Sequence, residues 1–330
     1  MNDKKIPIID FHSHMMINMT YLKKDLTKRV KSPGFWNPFK NMLDLQKIKE
    51  GNYKVIVFNI YVPGVFGIAV DFYEEALRQF GILEEFVKKN SNDVALVKNY
   101  NEIEKNWKEG KISIIPALEG GHHLDSTESL DIFKDKGIFY ITLTHFVKNR
   151  ISGACTFQFM NKYNGITDFG KAVIKRMEEV NIIPDLAHIS EEGFYQFLDL
   201  YNGPVFISHG AVRAFNDSER NISDDQILEI GRRDGLMGII MFPWYLTKRG
   251  VFSTAEVWAK TAAHIAELIG PEHVNLGSDF DGEIFSVKGV KDASEIQNLR
   301  IYLAKEGFTN EEIEMILWKN SYNFLKKYYN

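Results

Sequence analysis

Apolar residues gather in eight short runs along this chain, at positions 6–12, 54–61, 112–119, 138–145, 182–188, 204–209, 236–242 and 273–279. Each run is rich in Ile, Val, Leu and Phe and lacks a strict alternation with polar residues. That is the pattern of strands buried on both faces. Longer stretches with helical spacing separate them, at 71–89, 168–180, 190–200, 223–233 and 254–268. Thr167-Asp168, Ser190-Glu191-Glu192 and Ser223-Asp224-Asp225 are helix-start signals. Strands that alternate with helices pair in parallel. The expected fold is therefore α/β, a (β/α)8 barrel of the TIM type. Residues 309–328 read as a C-terminal helix capped by Thr309, with Glu311 and Glu312 in its first turn. Residues 15–50 form a long excursion after the first strand, which in a barrel lies on the catalytic face. No internal repeat, low-complexity tract or linker divides the chain, so residues 1–330 read as one barrel domain.

The runs end in ligand-type residues. The first closes on His12-Ser-His14, and later ones close on Glu119, His145, His188, His209 and Asp279. Side chains alternate along an extended segment, so His12 and His14 leave it on the same side and can share one ion. Taken singly, each residue has a plainer reading: a polar strand end, a loop-capping acid or a hydrogen-bonded histidine. Taken together, ligand types at so many strand ends suit a metal site at the mouth of a parallel barrel, and with it a metal-dependent hydrolase. Other candidates carry less. His264 falls in a helical stretch, and His273 begins the last run at the opposite face. His122 and His123 shape the loop after Glu119, and Cys155 reads as a small apolar filler.

Composition narrows the class. Of 330 residues, 45% are hydrophobic and 25% charged, an ordinary globular balance. A net charge of −4 offers no basic field for nucleic acid. One cysteine excludes an intrachain disulfide and fits a reducing compartment. No signal-like core precedes the first strand and no run is long enough to span a bilayer, so the expectation is a soluble, cytoplasmic protein without a membrane partner.

Several motifs in order resemble the membrane (renal-type) dipeptidases of the amidohydrolase superfamily. They are Leu-Glu119-Gly-Gly, Tyr-Ile-Thr-Leu-Thr-His145, Asp-Leu-Ala-His188-Ile-Ser, Ser-His209 with Arg220-Asn221 eleven residues on, and Gly-Ser-Asp279-Phe-Asp-Gly. The resemblance spans residues 6 to about 327 and is strongest from Leu118 onward. It implies a zinc-dependent dipeptidase that cleaves the peptide bond of dipeptides through a metal-activated hydroxide. It also implies two Zn2+ ions, one held by His12, the residue at position 14 and Glu119, the other by Glu119, His188 and His209, with Glu119 bridging. His145 and Arg220 would bind substrate, with Arg220 on its free carboxylate, and Asp279 would move the proton. The family places Asp where this chain has His14, which removes one negative charge beside the ions and leaves metal choice and occupancy open. A homodimer fits the family, although no interface is legible in the sequence.

Two other classes stay open at this level. One is another amidohydrolase-superfamily metallohydrolase acting on an N-acyl amino acid, a lactone or a phosphoester. The other is a metal-binding barrel without turnover. Side-chain preference and acceptance of a D-residue at the second position depend on loops at 15–50 and 62–75 that match the family poorly. Trp36 and Phe39 on the loop after the first strand, and Trp244 and Tyr245 on the loop after the seventh, are candidates to line the side-chain pockets or only to pack those loops.

Overall fold

The computed structural model describes residues 4–31, 41–62, 71–156, 164–248, 250 and 253–330. Trp36 and Phe39 lie outside the described residues. Among the described residues nine strands occur in chain order: β1 Ile8–Asp10, β2 Tyr53–Tyr61, β3 Val94–Leu96, β4 Ile112–Glu119, β5 Tyr140–Thr142, β6 Ile183–Asp185, β7 Phe206–Gly210, β8 Leu236–Ile239 and β9 Val274–Leu276. All their pairings are parallel. Eight of the strands close a ring in the order β1-β2-β4-β5-β6-β7-β8-β9, and β9 pairs back to β1. This is the expected (β/α)8 barrel. The ninth strand, β3, was not expected. It sits outside the ring, pairing Val94, Ala95 and Leu96 with Ile112, Ser113 and Ile114 at the start of β4.

The longest ladder joins β2 to β4, running in register from Val55↔Ser113 to Tyr61↔Glu119. Its side chains divide by parity. Val55, Val57, Ile115 and Ala117 face an inner cluster, while Ile56, Phe58, Ile114 and Leu118 face the layer between barrel and helices. The same parity carries Glu119 inward at the top of the barrel. The floor is aromatic: Phe11, Phe139, Phe206 and Phe324 pack with ring centroids 5.4–6.4 Å apart. Phe324 comes from the C-terminal helical segment, so that segment plugs the end opposite the ligands.

The helix signals hold. Asp71, Thr167, Ser190 and Ser223 each accept a backbone N–H at a helix start. Caps of this kind contribute about 1 kcal/mol apiece. Thr309 forms a capping box with Glu312, as its position suggested. The C-terminal helix is not uniform, however: a π-helical turn at Met315–Lys319 separates Asn310–Glu314 from Asn320–Tyr328. Among the described residues no helix is long and apolar enough to cross a membrane.

Candidate metal centre

Most of the strands stop short of the residues that the apolar runs ended on. β1 ends at Asp10, two residues before His12, and His14 stands at the start of the helix Met15–Thr20. β5 ends at Thr142, three residues before His145. β6 ends at Asp185 and β9 at Leu276, each three residues short of His188 and Asp279. Glu119 and His209 alone lie within their strands. Strand alternation therefore does not present most of the set. Phe11 already points into the floor cluster, so His12 turns toward Glu119 only because the chain has left the strand. His188 and Asp279 adopt left-handed backbone, with φ of 66° and 58°. Such conformations cost about 1–3 kcal/mol for residues other than glycine and collect at functional sites. His209 falls in the irregular stretch of the β7–β8 pairing between Ile207 and Gly210.

These bends bring all the expected ligands together around Glu119. Glu119 Oε1 lies 3.3 Å from His12 Nε2, 3.5 Å from His188 Nε2, 3.6 Å from His209 Nε2 and 3.7 Å from His145 Nε2. Its Oε2 lies 3.1 Å from His14 Nε2. His14 Nε2 is also 3.1 Å from Asp279 Oδ1. Three trios have ligand atoms within 4.8 Å of one another: His12, His14 and Glu119; His12, His209 and Asp279; and Glu119, His145 and His188. The first matches the expected grouping. The other two add His145 and Asp279 to the residues able to hold a cation.

Hydrogen bonds behind the site orient two of the imidazoles. The Ser208 hydroxyl donates to Asp185 Oδ2 at 2.6 Å and so must accept from His209 Nδ1, 2.9 Å away. The lone pair of His209 is thereby left on Nε2, facing Glu119. Asp185 is itself fixed by the Thr142 hydroxyl at 2.6 Å and by the backbone N–H groups of Ala187 and Ser208. On the other side the Tyr140 hydroxyl lies within donating distance of the Phe11 carbonyl and Asn59 Oδ1, at 2.8 and 3.0 Å. It accepts from His12 Nδ1 at 2.9 Å. Partners of this sort fix tautomer and ring direction in metal-binding histidines. Asp10 parallels Asp185: its Oδ1 accepts from the backbone N–H groups of Ser278 and His12. Sequence reasoning missed Asp10, Asp185, Tyr140 and Ser208. The available signal was an acid closing each apolar strand just before a ligand histidine, in Ile-Ile-Asp10 and Ile-Pro-Asp185.

The electrostatics match a cation site. Burial alone would raise the Glu119 carboxyl, but the His145, His14 and His12 imidazoles outweigh it and hold the group ionised, well below the usual range. Burial likewise opposes charge on His14, yet Glu119 and Asp279 prevail and lift its imidazole to about 10. The two carboxylates thus draw positive charge into their midst, as a proton on His14 or as a bound cation. Burial keeps His188 and His209 neutral, the form that ligates. Imidazoles and carboxylates of this kind suit a transition-metal ion, zinc among them. The donor set therefore fits the expected metals.

A cavity of about 240 Å³ opens onto this cluster, lined by His14, Tyr61, Glu119, His145, Phe146, His188, His209, Phe242, Tyr245, Asp279, Glu283 and several isoleucines. It lies below the range of about 300–1,000 Å³ typical of drug-sized ligands, as a small substrate requires. Tyr245 lines it as anticipated, whereas Trp244 is largely exposed and does not. Arg220 is buried behind the wall. Its Nη2 donates to the His209 carbonyl at 2.9 Å, and its guanidinium carbon lies 5.8 Å from the Tyr245 ring. Its Nε and Nη1 are buried without hydrogen-bond partners among the described residues.

A parallel barrel whose upper rim gathers imidazoles about a shared carboxylate defines a metal-dependent hydrolase of the amidohydrolase type. The chain matches the membrane dipeptidase family (Peptidase family M19) over residues 3–329 and belongs to it. It is a metal-dependent dipeptidase. Among curated relatives it is 26% identical to dipeptidase tcpJ of Claviceps purpurea over 293 residues, 86% of this chain and 69% of that one. It is 28% identical to an uncharacterized dipeptidase of Schizosaccharomyces pombe over 306 residues, 89% and 74% of the respective lengths. Among solved structures, the M19 metallopeptidase called dipeptidase AC superposes with a TM-score of 0.87 at 22% identity, covering 99% of both chains. A metallopeptidase of Rhodobacter sphaeroides, bound to a phosphinate mimic of L-Ala-D-Ala, gives 0.86 at 21% identity and covers 98% of this chain and 100% of the other.

Proposed function

We propose that this enzyme hydrolyses small dipeptides with a free carboxylate, using two zinc ions bridged by Glu119. One ion would be held by His12, His14 and Glu119, the other by Glu119, His188 and His209. The observation that carries this reading is the convergence of five imidazoles on one buried glutamate beneath a small cavity, with Asp279 against one of those imidazoles. When bound, such ions make water acidic enough to ionise near neutral pH and polarise a carbonyl.

The chain's own groups do the rest. Asp279 lies on the cavity wall and is the carboxylate placed to take a proton from the attacking water and return it to the leaving amine. Burial pushes the His145 imidazole down to about 4, so it is neutral and offers an N–H to the developing oxyanion. Arg220 supplies the positive charge for the substrate carboxylate. It is a buried cation, no described carboxylate pairs with it, and two of its nitrogens still have N–H groups to donate. The structural relative bound to an L-Ala-D-Ala mimic supports acceptance of a D-residue at the second position.

The test is a zinc-supplemented panel of L–L and L–D dipeptides, with chelator, N-acyl amino acid and phosphoester arms. Chelator-sensitive turnover of dipeptides with a free C-terminus is the expected result. Turnover of phosphoesters or N-acyl amino acids without dipeptides would overturn the reading.

A further inference from the structure

The cavity wall carries one charged side chain that the reaction described above does not use. Among the described lining residues the acids are Glu119, Asp279 and Glu283, with no lysine or arginine beside them. Glu119 and Asp279 belong to the ligand cluster. Glu283 is exposed at the mouth, and no cation or hydrogen-bond donor among the described residues pairs with it.

Glu283 is nevertheless held on a stiff segment. Asp279, Asp281 and Glu283 all adopt left-handed backbone, with φ of 58°, 66° and 61°. Asp281 is tied down by the N–H groups of Met42 at 2.6 Å and Leu43 at 3.2 Å. Between them, Gly282 packs so closely on the cluster that a Cβ there would stand 2.3 Å from Asp279 Oδ1 and 2.8 Å from His14 Cδ2. Glu283 follows by a single peptide step of about 3.8 Å. Strain concentrated in a supported loop is characteristic of ligand clamps.

Two chemically distinct groups flank the cavity. Arg220 lies behind the wall and donates to the His209 carbonyl. Glu283 lines the mouth and adjoins Gly282, which packs on His14 and Asp279. A dipeptide with its carboxylate turned to Arg220 would direct its first residue toward Glu283. The α-ammonium of that residue adjoins the scissile carbonyl and therefore lies by Asp279. Only its side chain would extend farther, into a cavity that Ile17, Tyr61 and Ile284 also line. A long aliphatic stem can pack on those walls while its charged tip reaches water and the carboxylate.

We propose that Glu283 is a specificity-determining residue that favours dipeptides with a lysine or arginine side chain at the first position. The inference rests on the dipeptidase reading. Its test compares kcat/KM of the zinc-loaded full chain for Lys-Ala and norleucyl-Ala, which differ in the terminal ammonium, and for Ala-Lys and Ala-norleucine. Wild type should favour Lys-Ala over norleucyl-Ala by about fivefold at low salt, with the ratio falling as salt rises. Glu283→Gln should bring that ratio close to one, Glu283→Asp should keep part of it, and the Ala-Lys to Ala-norleucine ratio should not move. Melting temperatures confirm that the variants are folded. An unchanged Lys-Ala to norleucyl-Ala ratio in Glu283→Gln overturns the proposal, as does a change confined to the second-position pair. Hydrolysis of none of the four dipeptides by wild type would instead sink the dipeptidase reading itself.

Discussion

Asp185 accepts the Ser208 hydroxyl at 2.6 Å, and that contact decides which nitrogen of His209 faces the cavity. A serine whose only proton is committed to a carboxylate can serve its other neighbour only as an acceptor. Replacing Asp185 by Asn or Ser208 by Ala frees the imidazole to turn or change tautomer. Zinc affinity should fall about 10- to 100-fold in either variant. Competition against a chromophoric chelator measures this without reference to turnover, and unaltered affinity in both variants would refute the relay.

Glu119 and Asp279 are both acids of the site, yet they should fail differently. Glu119→Gln removes the charge around which the imidazoles gather, and metal content measured by elemental analysis should drop together with activity. Asp279→Asn should retain metal and lower kcat by about 10²- to 10⁴-fold, the range for loss of a positioned proton-transfer group. Equal metal loss in the two variants would make Asp279 chiefly a ligand with His12 and His209.

Gly282 offers a steric probe. The methyl of Gly282→Ala would meet Asp279 Oδ1 at 2.3 Å and His14 Cδ2 at 2.8 Å, and both groups are buried in the cluster. The neighbours must shift by a sizeable fraction of an ångström. A displacement near 1 Å at reacting groups can cost about 100-fold in rate. We expect kcat/KM to fall at least tenfold while the melting temperature changes by only a few degrees. A fully active variant would show that the loop can yield.

Arg220→Ala should weaken dipeptides far more than neutral amides or esters. A charge-assisted hydrogen bond contributes about 1.5–3 kcal/mol, which is about 10- to 150-fold in kcat/KM. The loss should appear mainly in KM. Equal losses on both substrate types would point to a structural role through the His209 carbonyl instead.

The barrel was legible, and the proposed ligands stood out as candidates, because burial and chemistry coincide in the sequence: apolar runs close on polar residues. Other features carried a weaker signal or none. Val94–Leu96 forms a strand of three residues in which only Val94 is fully buried, too short for a pattern to emerge. The π turn at Met315–Lys319 leaves no mark in an otherwise helical spacing. Asp10 and Asp185 passed as strand interior, since their partners, Ser278 just past β9 and Ser208 in β7, are distant in sequence. The bends after the strands, such as the left-handed backbone of His188, depend on tertiary support that no local preference reveals.

The β2–β4 ladder, unbroken from Val55↔Ser113 to Tyr61↔Glu119, ends at the acid on which the site converges. Amides inside so long a paired stretch belong to the part of a fold expected to exchange last with solvent. The shared carboxylate therefore closes the longest paired stretch of the barrel. Most of the histidines approach it from segments just past their strands, and it serves as the fixed post around which they are arranged.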